Sequence, residues 1–300
     1  MLCLKKILRS IKKVFLSRKI VDPDDPNKYF RVLNVILHDS ENSISEVICD
    51  QFKNVRILKK IKRKDMDDHQ YSKRAHNEYL IYKALNSKYF PIFYHIYYIK
   101  SSYYLIYEFV ASTPFMYIQS DDLLIRPLIN GYFKQLILGI SYLHNKGIVH
   151  NSLSTGNILI DSNGNLVIMG LENAEIIKIT GECKFDWSYK RHGPHDFIAP
   201  ELYKDIFYDG RSGDVWRCGI IFFYMLFRSF PWKQAVTCDE KYNMWIKLNY
   251  NHEIYLNNIN IEIKWIFKRM LDPNPATRII INDIKKLSWF KKIFVQNEYQ

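Results

Sequence analysis

The hydrophobic pattern of this 300-residue chain changes its period once, near residue 112. Before that point the apolar residues fall in short runs rich in β-branched and aromatic side chains. These are Phe30–Leu37, Ile44–Phe52, Val55–Ile61, Ile92–Ile99 and Tyr103–Val110. One helical stretch, from about Met66 to Leu85, interrupts them. The spacing predicts a mostly antiparallel sheet with one helix, closed by a turn near Ser112–Pro114. Beyond the turn the period becomes helical. Tyr132–His144 carries Phe133, Leu136, Ile137, Ile140 and Leu143 on one face, and Val215–Phe227 and Ile261–Leu271 read as buried helices. Two short strands are expected around Leu159 and over Leu166–Met169. The fold class is therefore α+β with two lobes: a small β-rich lobe over 27–110 and a larger helical lobe over 111–300. A hydrophobic content of 48% supplies the core for both.

Residues 1–26 stand apart as a basic amphipathic segment and linker. Leu4, Ile7, Leu8, Ile11, Val14 and Phe15 recur at helical spacing, and seven Lys and Arg lie among the first twenty residues. Such a helix suits an anionic membrane surface; packing on the folded domain is the alternative, and a mitochondrial presequence a third. The stretch Val21 to Asn27, VDPDDPN, breaks it. Those seven charges taken from the net +12 leave +5 for the rest, with no concentration of basic and aromatic residues. A nucleic-acid partner is not expected. The five cysteines, Cys3, Cys49, Cys183, Cys218 and Cys238, are odd in number and widely spaced, which predicts a reduced, cytoplasmic protein, with the N-terminus offering peripheral membrane attachment.

Several short motifs then stand in a fixed order. "RILKKI" holds Lys59, "HNEYLIYKAL" holds Glu78, and Tyr107-Glu108-Phe109 ends the last strand of the small lobe. "SYLHNKGIVHNSLSTGNILID" holds His150 and, seven residues on, Asn157. "LVIMGLENA" follows, then "FIAPE" with Glu201, "SGDVWRCGI" with Asp214, Trp216 and Gly219, and "LDPNPATRI" with Arg278. A Lys held by a carboxylate is a fixed positive charge suited to phosphate oxygens. An Arg and a Glu buried together fix geometry through two parallel hydrogen bonds.

In this order the motifs resemble the eukaryotic protein-kinase superfamily over roughly residues 28–294. The resemblance implies ATP and Mg²⁺ as cofactors, with Lys59, Glu78, Tyr107, Glu108 and Asn157 as nucleotide-binding positions and Asn157 as a metal ligand. It implies structural roles for His150, Leu171, Glu201, Asp214 and Arg278. The departures concern chemistry. Ser152 stands at the base position, and a serine hydroxyl cannot act as a base near neutral pH without an activator. Ser154 replaces the phosphate-stabilising lysine, and Asn151 the arginine that reads activation-loop phosphate. Gly170-Leu171-Glu172 replace the Asp-Phe-Gly metal motif, which leaves Glu172 or Glu175 as substitute acids. The glycine-rich loop is replaced by "VILHDSENSISEV", where Asp39 and Glu41 bring negative charge and no glycine lets backbone amides approach phosphate.

The expectation is a pseudokinase: a regulatory or scaffold module of signalling that binds a protein partner without transferring phosphate. Mg²⁺ binding is disfavoured by the missing acids, and ATP binding stays open. The alternative is a divergent Ser/Thr kinase that uses substitute acids, with Asp196 the nearest candidate base. A third alternative is a membrane-anchored scaffold. Within the superfamily the resemblance is to fungal kinases of the nitrogen-permease-reactivator and halotolerance group, with a calcium/calmodulin-like or checkpoint-kinase ancestry as the alternative. Thr180, Ser188 and Tyr189 are candidate modification sites, and His192 and His195 read as solvated loop histidines.

Overall fold

The computed structural model describes residues 30–38, 42–49, 55–61, 63, 66–108, 112–114, 126–161, 163–177, 193–203, 209–247, 259–293 and 295. The N-terminal amphipathic segment, Asp39, Glu41, Phe109, Thr180, Ser188, Tyr189 and His192 lie outside the described residues.

The small lobe is a five-stranded antiparallel sheet in the order β1-β2-β3-β5-β4. Its strands are β1 (Phe30–His38), β2 (Asn42–Cys49), β3 (Val55–Ile61), β4 (Phe93–Ile99) and β5 (Ser102–Glu108). Strand alternation decides what faces inward. Ile57, Lys59 and Ile61 share the buried face of β3, while Lys60 points out over the Tyr104 ring, 5.6 Å from its centroid. Helix α1 (Asp68–Ala84) packs on that face. Asp67 caps it, accepting the Gln70 amide at 2.7 Å, and Asp68 in the first turn and Lys83 in the last suit the helix dipole. Its buried stripe runs through Tyr71, Ala75, Glu78, Ile81 and Tyr82, so a glutamate sits in the middle of an apolar seam.

A short strand, β6 (Ser112–Pro114), occupies the place expected to be a turn. It gains its ladder partner from far along the chain, pairing Thr113 with Ile160 of β8 (Ile158–Asp161), which in turn pairs with β9 (Leu166–Ile168). Helix α2 (Arg126–Asn145) begins a turn and a half before the expected start. Pro127 is compatible with a first helical turn, where its missing N–H has no partner to lose. The five predicted core residues of this helix are all fully buried. Strands β7 (Ile148–Val149) and β10 (Glu175–Ile176) pair beside it. Helices α3 (Gly210–Phe227), α4 (Glu240–Lys247), α5 (Ile261–Met270), α6 (Ile281–Ile284) and α7 (Ser288–Lys292) complete the large lobe. Helix α3 is its centre. A Cβ on Gly219 would lie 2.8 Å from Leu271, so this glycine permits the close approach of α3 to the end of α5.

Two buried ionic groups fix α3 to its neighbours. Asp214 accepts the backbone amides of His150 at 2.8 Å and Asn151 at 3.0 Å, and meets His144 Nε2 at 3.0 Å. Burial alone would raise its carboxyl; the bond to His144, the two imidazoles nearby and the backbone amide hold it lower. Glu201 receives Arg278 through both guanidinium nitrogens, at 2.6 and 2.8 Å. Arg278 also donates to the carbonyls of Ser212 and Asp272 and lies 4.9 Å from the Trp216 ring centroid. Among the described residues no helix is long and apolar enough to cross a membrane.

Removing Arg278 leaves Glu201 buried and uncompensated. Arg278→Ala is expected to cost about 3–5 kcal/mol in chemical denaturation, and Arg278→Lys less, because a point charge keeps the attraction but loses the parallel pair. Equal stability of Arg278→Ala and the parent chain would contradict this account of the pair.

Candidate functional site

Three elements meet at one buried point. Strand β3 brings Lys59, helix α1 brings Glu78 and Arg74, and a single 3₁₀ turn of the large lobe, Leu171–Asn173, brings Glu172. Lys59 is 1% exposed, Glu78 0% and Glu172 4%, so solvent does not screen the attraction among these three charges. The Lys59 ammonium donates to Glu78 Oε1 at 2.9 Å and Oε2 at 3.0 Å, and to Glu172 Oε2 at 2.6 Å. Glu172 Oε1 accepts from Arg74 Nη2 at 3.3 Å. Glu78 Oε1 also accepts the Tyr107 hydroxyl at 2.8 Å. The cluster thus holds two cations and two carboxylates, as burial of charge demands.

Burial by itself lowers the Lys59 ammonium, but Glu172 and Glu78 outweigh it and hold it above its ordinary value. Burial pushes the Glu78 carboxyl up despite Lys59. The Tyr107 phenol is pushed well up by burial and by Glu78, which keeps it a neutral donor. Tyr107 is therefore more than a bulky residue at the back of a pocket: it helps fix the orientation of Glu78. Glu108 follows it at the end of β5, where its amide donates to the Ile92 carbonyl at 2.8 Å.

The loop around His150 is packed just as tightly. The His150 imidazole is fully buried, and desolvation lowers its pKa; its Nε2 lies 3.0 Å from the Met169 carbonyl. Asn151 adopts a left-handed backbone, φ 62°, a conformation that asparagine tolerates better than most residues. Its side chain donates to the Asn173 carbonyl at 3.3 Å. Ser152 is buried, and its hydroxyl donates to the Gly170 carbonyl at 3.0 Å. Ser154 is buried at the start of the turn Thr155–Asn157. Asn157 Nδ2 donates to the Ser152 carbonyl at 2.9 Å.

Gly170 explains the form of this loop. Its φ is 84°, and a Cβ placed on it would stand 2.4 Å from the Asn157 side chain. The Asn157 amide therefore covers the space into which a side chain at position 170 would project. Leu171 is fully buried in the main core. Glu175 lies on β10, half-buried, and Asp196 lies in the turn His195–Phe197, where burial raises its carboxyl. Among the described residues no group of three or more His, Cys, Asp or Glu side chains is arranged to hold a metal ion.

The residues fit a magnesium triphosphate poorly. An ammonium has three N–H donors, and three carboxylate oxygens already surround that of Lys59. A phosphate oxygen brought within about 4 Å of Glu172 would meet a repulsion of roughly 4 kcal/mol at an effective dielectric of about 20. The acid expected at position 170 is a glycine, and its space is filled. The sequence motifs brought Lys59, Glu78, Tyr107, His150, Ser152, Asn157 and Leu171 to one region. Arg74 and Asn77 escaped that reading. Arg74 stands one helical turn before Glu78, a spacing that places both on one face. Asn77 Nδ2 donates to the Ala174 carbonyl at 2.6 Å.

Gly170→Ala is expected to cost about 1–2 kcal/mol for its left-handed backbone, plus the overlap with Asn157. In an Asn157→Ala background the overlap disappears and the cost falls to the backbone part. A double-mutant cycle by denaturant unfolding reads that coupling. Equal cost in both backgrounds would contradict the packing described.

Comparison with known proteins agrees with this geometry. A family model, the protein kinase domain, matches residues 42–290. CBL-interacting serine/threonine-protein kinase 17 of Arabidopsis thaliana is 33% identical over 176 residues, 56% of this chain and 37% of that protein. CBL-interacting protein kinase 31 of Oryza sativa subsp. japonica is 32% identical over 162 residues, 54% of this chain and 34% of that protein. The Saccharomyces cerevisiae protein named "Probable serine/threonine-protein kinase RTK1" is 28% identical over 199 residues, 64% of this chain and 32% of that protein. The chain covers about a third of the length of each of these curated relatives.

Proposed function

Given that this chain belongs to the protein kinase domain family, we propose that it is a pseudokinase, a regulatory or scaffold module that binds a protein partner without transferring phosphate. One observation carries the reading. Ser152, at the base position, donates its hydroxyl to Gly170, at the metal-acid position, while the Asn157 side chain closes over that glycine. Proton removal and metal binding have been exchanged for packing in a single unit. The loss is joint, so restoring one residue does not restore the reaction.

A protein partner is in keeping with the names of the plant relatives, which are described as interacting with CBL. The likeness to a yeast kinase supports a fungal affinity, and the likeness to plant kinases supports a broader ancestry to the same degree. A cytoplasmic location, with residues 1–20 touching an anionic membrane surface, completes the reading. Lobes meeting near residue 110 agree with the small-lobe strands ending at Glu108.

The second reading is a divergent Ser/Thr kinase, favoured by the names of the relatives and by the raised carboxyl of Asp196, which suits an acid–base role. A radiolabelled ATP transfer assay separates the two. The pseudokinase reading predicts incorporation into protein no greater than that of Lys59→Met. Its rate should lie below roughly one ten-thousandth of the 1–100 s⁻¹ typical of protein kinases. Transfer above background that Lys59→Met and Asp196→Asn both remove would establish the second reading.

A further inference from the structure

The poor fit of a triphosphate to Lys59 has a positive side. We propose that Glu172 is an internal anion: its carboxylate takes on Lys59 the place of a ligand's phosphate oxygen, so that α1 is clasped to the large lobe with no ligand bound. This deepens the pseudokinase reading and rests on it.

Four observations carry the assignment. The first is saturation. Glu78 supplies two oxygens to the ammonium and Glu172 the third, at 2.6 Å, the shortest of the set. The second is topology. Lys59 and Arg74 belong to the small lobe, and Glu172 to the turn after β9, so the bonds from Lys59 and Arg74 to Glu172 cross between lobes. Asn77 adds a third crossing bond, to the Ala174 carbonyl, two residues beyond Glu172 at the end of the same turn. The third is burial. The Glu172 side chain is 2% exposed, and a carboxylate so placed is tolerated only with cations at hydrogen-bond distance. The fourth is chemistry. Carboxylate and phosphate oxygens accept charge-assisted hydrogen bonds from an ammonium in the same way. A carboxylate tethered in the fold also acts at an effective concentration of millimolar or more, which a free nucleotide must exceed.

The consequence for function is a shape that does not wait for a ligand. Where nucleotide phosphates would bridge the lobes, the chain bridges them itself. The surface shown to a partner is then permanent, and ATP supply does not regulate it. The same residue would have the opposite role if it held Mg²⁺ for a divergent kinase: its removal would then abolish nucleotide binding rather than create it.

Thermal unfolding of the full chain tests the proposal, with three probes at millimolar concentration: ATP with EDTA, ATP with Mg²⁺, and inorganic tripolyphosphate. The parent chain should show no rise in Tm with any of them. Glu172→Gly should melt about 5 °C or more lower, as expected for opening a buried ion pair in a chain of this size. It should then gain several degrees with ATP or tripolyphosphate, with or without metal, because the freed ammonium accepts an outside anion. Glu172→Gln keeps the shape and loses the charge, so it should change in the same direction by less. It carries the test if the glycine variant does not fold. A parent chain whose Tm rises with a probe as much as the variants' would overturn the proposal, as would a Glu172→Gln protein with an unchanged Tm and no gained response. ATP binding by the parent without phosphate transfer overturns the internal anion alone. Binding with transfer overturns the pseudokinase reading as well.

Discussion

A lysine ammonium enclosed by three carboxylate oxygens is the interaction on which the arrangement of the two lobes depends. Lys59 reaches it because β-strand alternation turns it inward between Ile57 and Ile61. Glu78 reaches it because α1 presents one face to the sheet, and Glu172 because a 3₁₀ turn comes directly after the left-handed Gly170. None of the three would be tolerated there alone. A buried charge without a partner costs several kcal/mol, whereas a balanced and fully hydrogen-bonded set is close to neutral in energy and specific in geometry. Tyr107 donates to Glu78 and Arg74 to Glu172, which adds to that balance. The cluster acts less as a source of stability than as a requirement that β3, α1 and the 171–174 turn be together.

The large lobe repeats the same logic with different groups. Asp214 gathers the amides of His150 and Asn151 and the ring of His144, which sets the start of the loop from His150 to Asn157. Arg278 and Glu201 tie the segment before α3 to the segment after α5. Within the same lobe the Ser152 hydroxyl donates to the Gly170 carbonyl and Asn157 Nδ2 donates to the Ser152 carbonyl. The buried ion pairs that hold the large lobe together are thus present, and the side chains of the loop from His150 to Asn157 are packed among contacts within the chain.

Much of this could be read from the sequence, and the exceptions have physical causes. The sheet and its single helix followed from alternating and helical periods, and structural roles for Glu201 and Arg278 were what the resemblance implied. The first turn of α2 did not, and neither did the strand at Ser112–Pro114, whose ladder partner is distant in the chain, Thr113 pairing with Ile160. Ser152 and Gly170 were visible as missing groups, but their hydrogen bond to each other was not. Glu172 was the hardest to interpret. It lies 113 positions from Lys59, no periodicity links them, and a glutamate where the resemblance places a metal motif reads most readily as a substitute metal ligand. The cations it faces, Lys59 and Arg74, come from two other elements of the fold. Helix α1 was legible by length and position, yet its central buried residue is charged, which hides the seam from any reading based on hydrophobicity alone.

Amide hydrogen exchange of the ligand-free protein addresses the central claim most directly. If the lobes are clasped by the chain itself, the amides of α1 and of residues 171–174 should exchange slowly without ligand, and millimolar ATP with Mg²⁺ should leave their rates unchanged. Fast exchange in these segments that slows only when nucleotide is added would contradict the account, since the lobes would then depend on an outside anion to come together.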